Sequence, residues 1–226
     1  MLSPTLDFGK TVSHFLPGLV LCGSIFMIAE VLSEIDLTTK ITSSANYFFG
    51  AAAIAVIAGF VSGLFIDLFF HHRVLEQEIY CTQRFFKLLN WFYKEDYAQR
   101  YEALRSEEKD LYRDKQGKPV TDYYFLTLVG VDAREHLLTS GTYYCEFFSN
   151  ISFSLMVFGT AVGLLLLKYP TALGELWPYS IFLSLVATTS LELLAFFCII
   201  VGGAINIQYR ERKVDMIKGA LRFCVS

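Results

Sequence analysis

The sequence predicts an all-α polytopic membrane protein: four transmembrane helices in two hairpins, with a helical polar segment between spans two and three. Three observations predict it. More than half of the 226 residues are apolar (54%) while 18% are charged, and the mean hydropathy is +0.44, above the usual range of soluble domains. The apolar residues gather into four runs, each long enough to cross a hydrocarbon core of about 30 Å as a helix. The charges gather between and beyond those runs. One soluble helical domain would instead have to bury several nearly uncharged runs of about 18 residues in a small protein. The net charge of −3 gives no reason to expect a direct nucleic-acid partner.

Span one is expected over residues 15–32, after a short polar lead that ends at His14. Pro17 then falls in the first turn, where a missing N–H is tolerated, and Glu30 lies near the far end. Residues 33–45 read as a polar hairpin loop closing on Ser, Thr and Asn capping residues. Span two, residues 47–70, carries one charge, Asp67. Ala51, Ala55, Gly59 and Gly63 recur along it every fourth residue, a stripe that a second helix backbone can approach closely. The same stride continues to Asp67 and His71. The small-residue face is read as a contact between copies of the chain, so a homo-oligomer is expected.

Residues 71–146 form the one sizeable polar segment and read as a cytoplasmic, aromatic-rich, mainly helical domain. Lys115–Pro119 signals a turn, and Thr121 or Asp122 can start a further helix through His136. Tyr123–Val131 reads equally as a strand. Phe85, Phe86, Trp91, Phe92 and Tyr93, followed by Tyr97 and Tyr101, exceed what a small helical unit needs for its own core. They read as core plus membrane-interface belt, or as a docking surface for a cytosolic protein partner. Span three covers residues 147–167 and ends at Lys168-Tyr169-Pro170. Span four, residues 178–207, opens at Trp177-Pro178 and carries Glu192 near its middle. A basic tail, residues 209–226, follows with Arg210, Arg212, Lys213, Lys218 and Arg222.

Orientation follows from the basic residues. Seventeen of the nineteen lie in the lead, the middle segment and the tail; Lys40 and Lys168 alone lie in the two opposite loops. The positive-inside rule then puts both termini and the middle segment in the cytoplasm, with the protein in the cell inner membrane. Cys22, Cys81, Cys145, Cys198 and Cys224 are odd in number and scattered, which reads as reduced thiols and not as a disulfide framework or zinc site. The late-starting first apolar run, followed by three more, does not read as a cleavable signal peptide.

Ionisable groups inside spans are costly and are functional candidates by default. Glu192, with Thr188 a turn away, is the deepest. It reads as a proton- or cation-handling site, or as a neutral carboxyl making one interhelical hydrogen bond. A second group is expected at the cytoplasmic ends of the spans: Asp67, His71, His72, Arg73, Glu146, Asn150, Asn206 and Arg210, with His14 from span one. Arg210 is the natural partner for Asp67 there, and Asn150 and Asn206 can bond across helices. The group reads as a polar collar that fixes register, or as a gate, an anionic-headgroup site, or a metal site using His71, His72, Glu76 and His136. No cofactor is expected.

Catalytic patterns fare poorly. Four histidines are too few for the boxes of membrane di-iron hydroxylases, and neither HExxH nor Gly-x-Ser-x-Gly occurs. Glu107-Glu108 with Arg113 falls one residue off the EExxxR spacing of membrane CAAX proteases. No Gly-rich phosphate loop or EF-hand loop is present. The expectation is therefore a sensor or channel-like membrane component that couples membrane state to a cytoplasmic partner. An assembly subunit recruiting a cytosolic effector is the second reading, and a lipid-acting or metal-dependent enzyme the third.

The span boundaries at Gly63–Asp67 with His71–Arg73 and at Glu146–Asn150, together with size and topology, carry a family likeness. The chain resembles the small four-span membrane subunit of Kiwa-type bacterial anti-phage systems. That resemblance implies a homo-oligomeric membrane sensor, paired with a cytosolic DNA-binding effector, and assigns no functional residue. The four-span layout is also similar to that of proton-channel stators, without their sequence patterns.

Overall fold

Runs with apolar side chains all round a helix need lipid or protein on every side, and the structure builds long helices from all four. A computed structural model describes residues 8–33, 45–111, 141–169 and 178–225. Helix α1 is Phe8–Leu32; α2 is Ala45–Ile66, continued without a break by a π-helix, Asp67–Ile79; α3 is Gln83–Tyr93, α4 Tyr97–Leu111, α5 Tyr143–Lys168 and α6 Ser180–Val225. No strand occurs among the described residues. The α1, α2, α5 and α6 runs are long and apolar enough to cross a membrane, so this is an all-α, multi-pass membrane protein. The turn at Lys115–Pro119, the alternatives for Tyr123–Val131, and His136 lie outside the described residues.

Two boundaries differ from the sequence reading. Helix α1 starts at Phe8, which puts Pro17 inside it instead of in the first turn. Proline there removes one backbone hydrogen bond and frees the carbonyl four residues earlier, that of Ser13. The predicted tail is not separate: α6 runs 46 residues to Val225, about 69 Å at 1.5 Å per residue. Lys, Arg, Glu and Met are good helix formers, so the helix persists after its apolar stretch ends.

The chain divides into two units, residues 1–74 with 146–199 and residues 75–145 with 200–226. In the first, α1 and α2 meet backbone to backbone. A Cβ on Gly18 would overlap the carbonyl of Gly59, and one on Gly63 would overlap the carbonyl of His14. Phe15 and Phe60 stack beside this contact with centroids 4.9 Å apart. The glycine half of the Ala51–Gly63 stripe thus packs span one of the same chain, and is not a face left for a second copy. Helices α5 and α6 are joined by hydroxyls: Ser184 donates to the Gly163 carbonyl (2.9 Å) and Thr188 to that of Gly159 (3.1 Å). Ser154 on α5 donates to the Pro17 carbonyl (2.7 Å). Lys168 closes the C-terminal end of α1 by donating to the carbonyls of Glu30 and Ser33, each at 2.8 Å.

The second unit is a small helical domain with an ordinary core. Thr82 caps α3 by accepting from the Phe85 N–H (3.2 Å), and Lys94, at φ 56°, ends the helix in the left-handed region. The Asn90 side chain accepts from the Tyr97 N–H (2.8 Å) and fixes the corner into α4. Leu75, Phe85, Phe86, Leu89, Tyr97, Leu104, Val214 and Ile217 are buried there. Three ion pairs tie α4 to the far half of α6. Arg100 is bidentate to Glu211 (2.8 and 2.6 Å), Arg210 grips Glu108, and Lys218 reaches Glu107 (2.8 Å).

Candidate functional site

Asp67 begins the π-helical stretch of span two, and that local geometry makes the site. In an α-helix the residue four ahead shares a face and the residue five ahead turns away. With bonding from residue i to i+5, shown by the Tyr80 N–H on the Leu75 carbonyl (2.7 Å), the fifth residue swings back. His71 and His72 therefore flank Asp67 together, their rings 4.8 Å apart. Asp67 Oδ2 lies 3.3 Å from His14 Nε2 of α1 and 3.6 Å from His72 Nε2. Its other oxygen accepts from the Asn150 amide of α5 (3.2 Å). Three of the four spanning helices meet at this carboxylate.

A relay of hydrogen bonds surrounds it. Ser13 Oγ stands 2.9 Å from His14 Nδ1 and donates to Glu146 Oε2 at 3.5 Å. With its proton on Glu146, the Ser13 oxygen accepts from His14 Nδ1–H. The amide of Asn150 also reaches the Ser13 carbonyl that Pro17 frees (3.4 Å). Ser13, His14, Asp67, His71, Glu146 and Asn150 are all buried, while the His72 side chain is 46% exposed. Donor atoms of His14, Asp67 and Glu146 lie within 4.8 Å of one another, and so do those of Asp67, His71 and His72. Carboxylate oxygens and imidazole nitrogens gathered this closely are the donor chemistry of a cation site.

The structure thus joins six residues of the expected end-of-span group, His14, Asp67, His71, His72, Glu146 and Asn150. Arg73 is exposed. Arg210, expected beside Asp67, instead pairs with Glu108, its Nε 3.0 Å from Oε1, because α4 presents an acidic side chain to it within the second unit. The Asn206 amide goes to Glu76 (3.1 Å) and to the sulfur of Cys145 (3.6 Å), not to Asn150. Glu76 is thereby engaged in the second unit. Ser13 was not singled out by the sequence, although it sits beside His14 and four residues before Pro17.

Glu192 and Thr188 do not form one site within the chain. The Thr188 hydroxyl is used on Gly159, whereas Glu192 is exposed among Leu185, Leu193, Leu194 and Phe196 on the outward face of α6. No hydrogen bond or ion pair to Glu192 occurs among the described residues. In the aromatic set, Phe85 and Phe86 are core: Phe85 packs on Tyr80 (5.0 Å) and Gly203, Phe86 on Tyr101 (4.7 Å). Trp91, 73% exposed, and the neighbouring Phe92 and Tyr93 remain at the surface. Within this unit the Glu211 hydrogen bonds hold the Arg100 guanidinium charged far above the usual range, and burial raises the Tyr97 phenol. Cys22, Cys81, Cys145 and Cys198 are free thiols. No protein-family model, curated protein or solved structure matches this chain.

Proposed function

We propose that the chain is a homo-oligomeric sensor of the cell inner membrane, with both termini cytoplasmic, that passes a change sensed at the Asp67 cluster to a cytosolic protein. The cluster carries the reading: one buried carboxylate ties α1, the π-helical end of span two and α5 through imidazole and amide groups that respond to binding of a proton or a cation. Gain or loss of one positive charge there alters contacts of three helices at once. The distribution of basic residues supports the orientation. The outward-facing Glu192 supports the oligomer, since a carboxyl left against lipid is costly and a second copy of the chain can cover it. The Kiwa-type resemblance adds anti-phage defence as the setting.

The assembly-subunit reading draws on the exposed Trp91, Phe92 and Tyr93, which supply an aromatic contact that the domain core does not use. One experiment addresses both readings. Membrane pull-downs identify a bound soluble protein with wild type, Asp67→Asn, and a Trp91→Ala/Phe92→Ala pair. The sensor reading expects recruitment or its regulation to change in Asp67→Asn at unchanged membrane content. Recruitment lost in the aromatic pair but identical in Asp67→Asn leaves a scaffold and removes the sensor.

A further inference from the structure

We infer that the Asp67 cluster is a binding site for one divalent transition-metal ion of the zinc class, with Asp67, His14 and Glu146 as protein ligands and His72 on the solvent side. The inference deepens the sensor reading by naming the chemistry of its input, and the two can fail separately. Imidazole nitrogen with carboxylate oxygen, and no thiolate, is the donor set of Zn²⁺, Mn²⁺ and Fe²⁺. The His14, Asp67 and Glu146 donor atoms already lie within 4.8 Å of one another. An ion bonded at about 2.0–2.2 Å needs only shifts on the order of an ångström to collect them.

The surrounding bonds hold the ligand atoms in place. Ser13 takes His14 Nδ1 and Asn150 takes Asp67 Oδ1, an outer shell that aims Nε2 and Oδ2 at each other. Nε2 and Oδ2 face each other at 3.3 Å, and a metal ion between them would take the place of the proton that joins them. Independently, Asn150 Oδ1 is fully buried and has no hydrogen-bond partner, so an oxygen donor beside the cluster is unused. Buried polar atoms are nearly always paired. The half-exposed His72 ring gives an ion a first foothold at the surface.

The test uses the full chain in nanodiscs, with any affinity tag removed and metal stripped by chelator, titrated with Zn²⁺ by calorimetry and with Co²⁺ by visible absorption. The expected result is one ion per chain, with the ligand-field bands of Co²⁺ bound to nitrogen and oxygen. Asp67→Asn and His14→Gln should each weaken Zn²⁺ at least about 100-fold, and Ser13→Ala, an outer-shell change, about 10-fold. Size exclusion identifies any variant that misfolds, and Glu146→Gln is then read in its place. No Zn²⁺ binding by wild type, or equal binding by the folded Asp67→Asn or Glu146→Gln variant, overturns the site. Zn²⁺ binding that leaves recruitment of the soluble partner unchanged keeps the site and removes the sensor reading. Recruitment that responds to Asp67→Asn without any Zn²⁺ binding does the reverse.

Discussion

The two units of this chain place their polar groups in opposite ways. In the first, Ser13, His14, Asp67, Glu146, Ser149, Asn150, Ser152 and Ser154 are buried, while Ile54, Ile57, Val61, Phe65, Ile181, Leu185 and Leu193 face outward. In the second, leucine, isoleucine and aromatic rings fill the interior and Arg100, Glu107, Glu211 and Lys218 pair nearer the surface. The same residue types thus serve as core in one unit and as coat in the other. The difference is the solvent. Lipid gives no hydrophobic reward for burying leucine, so close backbone contact and interior hydrogen bonds hold the first unit together, whereas water drives leucine inward in the second.

Small residues offer the sharpest way to break this comparison. Gly18→Leu or Gly63→Leu places a side chain where the facing backbone already lies, and backbone cannot step aside. The expected loss exceeds about 3 kcal/mol, seen as loss of the monodisperse peak on fluorescence-detected size exclusion. Gly203→Ala in the second unit meets the ring edge of Phe85 instead. A ring can shift, so a cost of about 1–3 kcal/mol and a folded protein are expected.

Charge removal comes next. Asp67→Ala strands the buried His14 and Asn150 that it bonds, and about 3–5 kcal/mol of stability should be lost in denaturation from micelles. Arg100→Met deletes a pair whose members are each about a third exposed (32% and 29%); no more than about 1 kcal/mol is expected, shrinking further with added salt. Equal losses for the two would erase the distinction between the units.

The smallest effect concerns alkaline pH. Burial raises the pKa of Tyr97 above its ordinary value of 10.0. Below that value the phenol is neutral folded or unfolded and its stabilisation is complete. As pH rises further the unfolded chain ionises first, so stability falls. Tyr97→Phe should flatten that decline in a thermal melt followed by Trp fluorescence.

Much of the fold was legible because lipid imposes length and composition on each span. All four spans could be read from their apolar runs, and Lys168 ends α5 where expected. The early start of α1 was hidden because the turns around Lys10, Thr11 and His14 are polar and look like a lead. The stride of Gly59 and Gly63 announced a close neighbour but could not say which, since spacing is blind to whether the partner is intramolecular. Most of the candidate site was visible as a set of residues near one surface. What spacing could not supply was the π-helical bonding that turns His72 back to Asp67, or the pairing of Arg210 with Glu108, 102 residues away in sequence.

Where Gly18 and Gly63 let two backbones touch, neither helix can rotate or slip without driving main chain into main chain. Spans one and two should therefore move as a single strut. Helix α5 meets that strut through side chains, the Asn150 amide, the Ser154 hydroxyl and the Phe153 ring on Phe70, so the joint between strut and α5 can yield where the strut itself cannot.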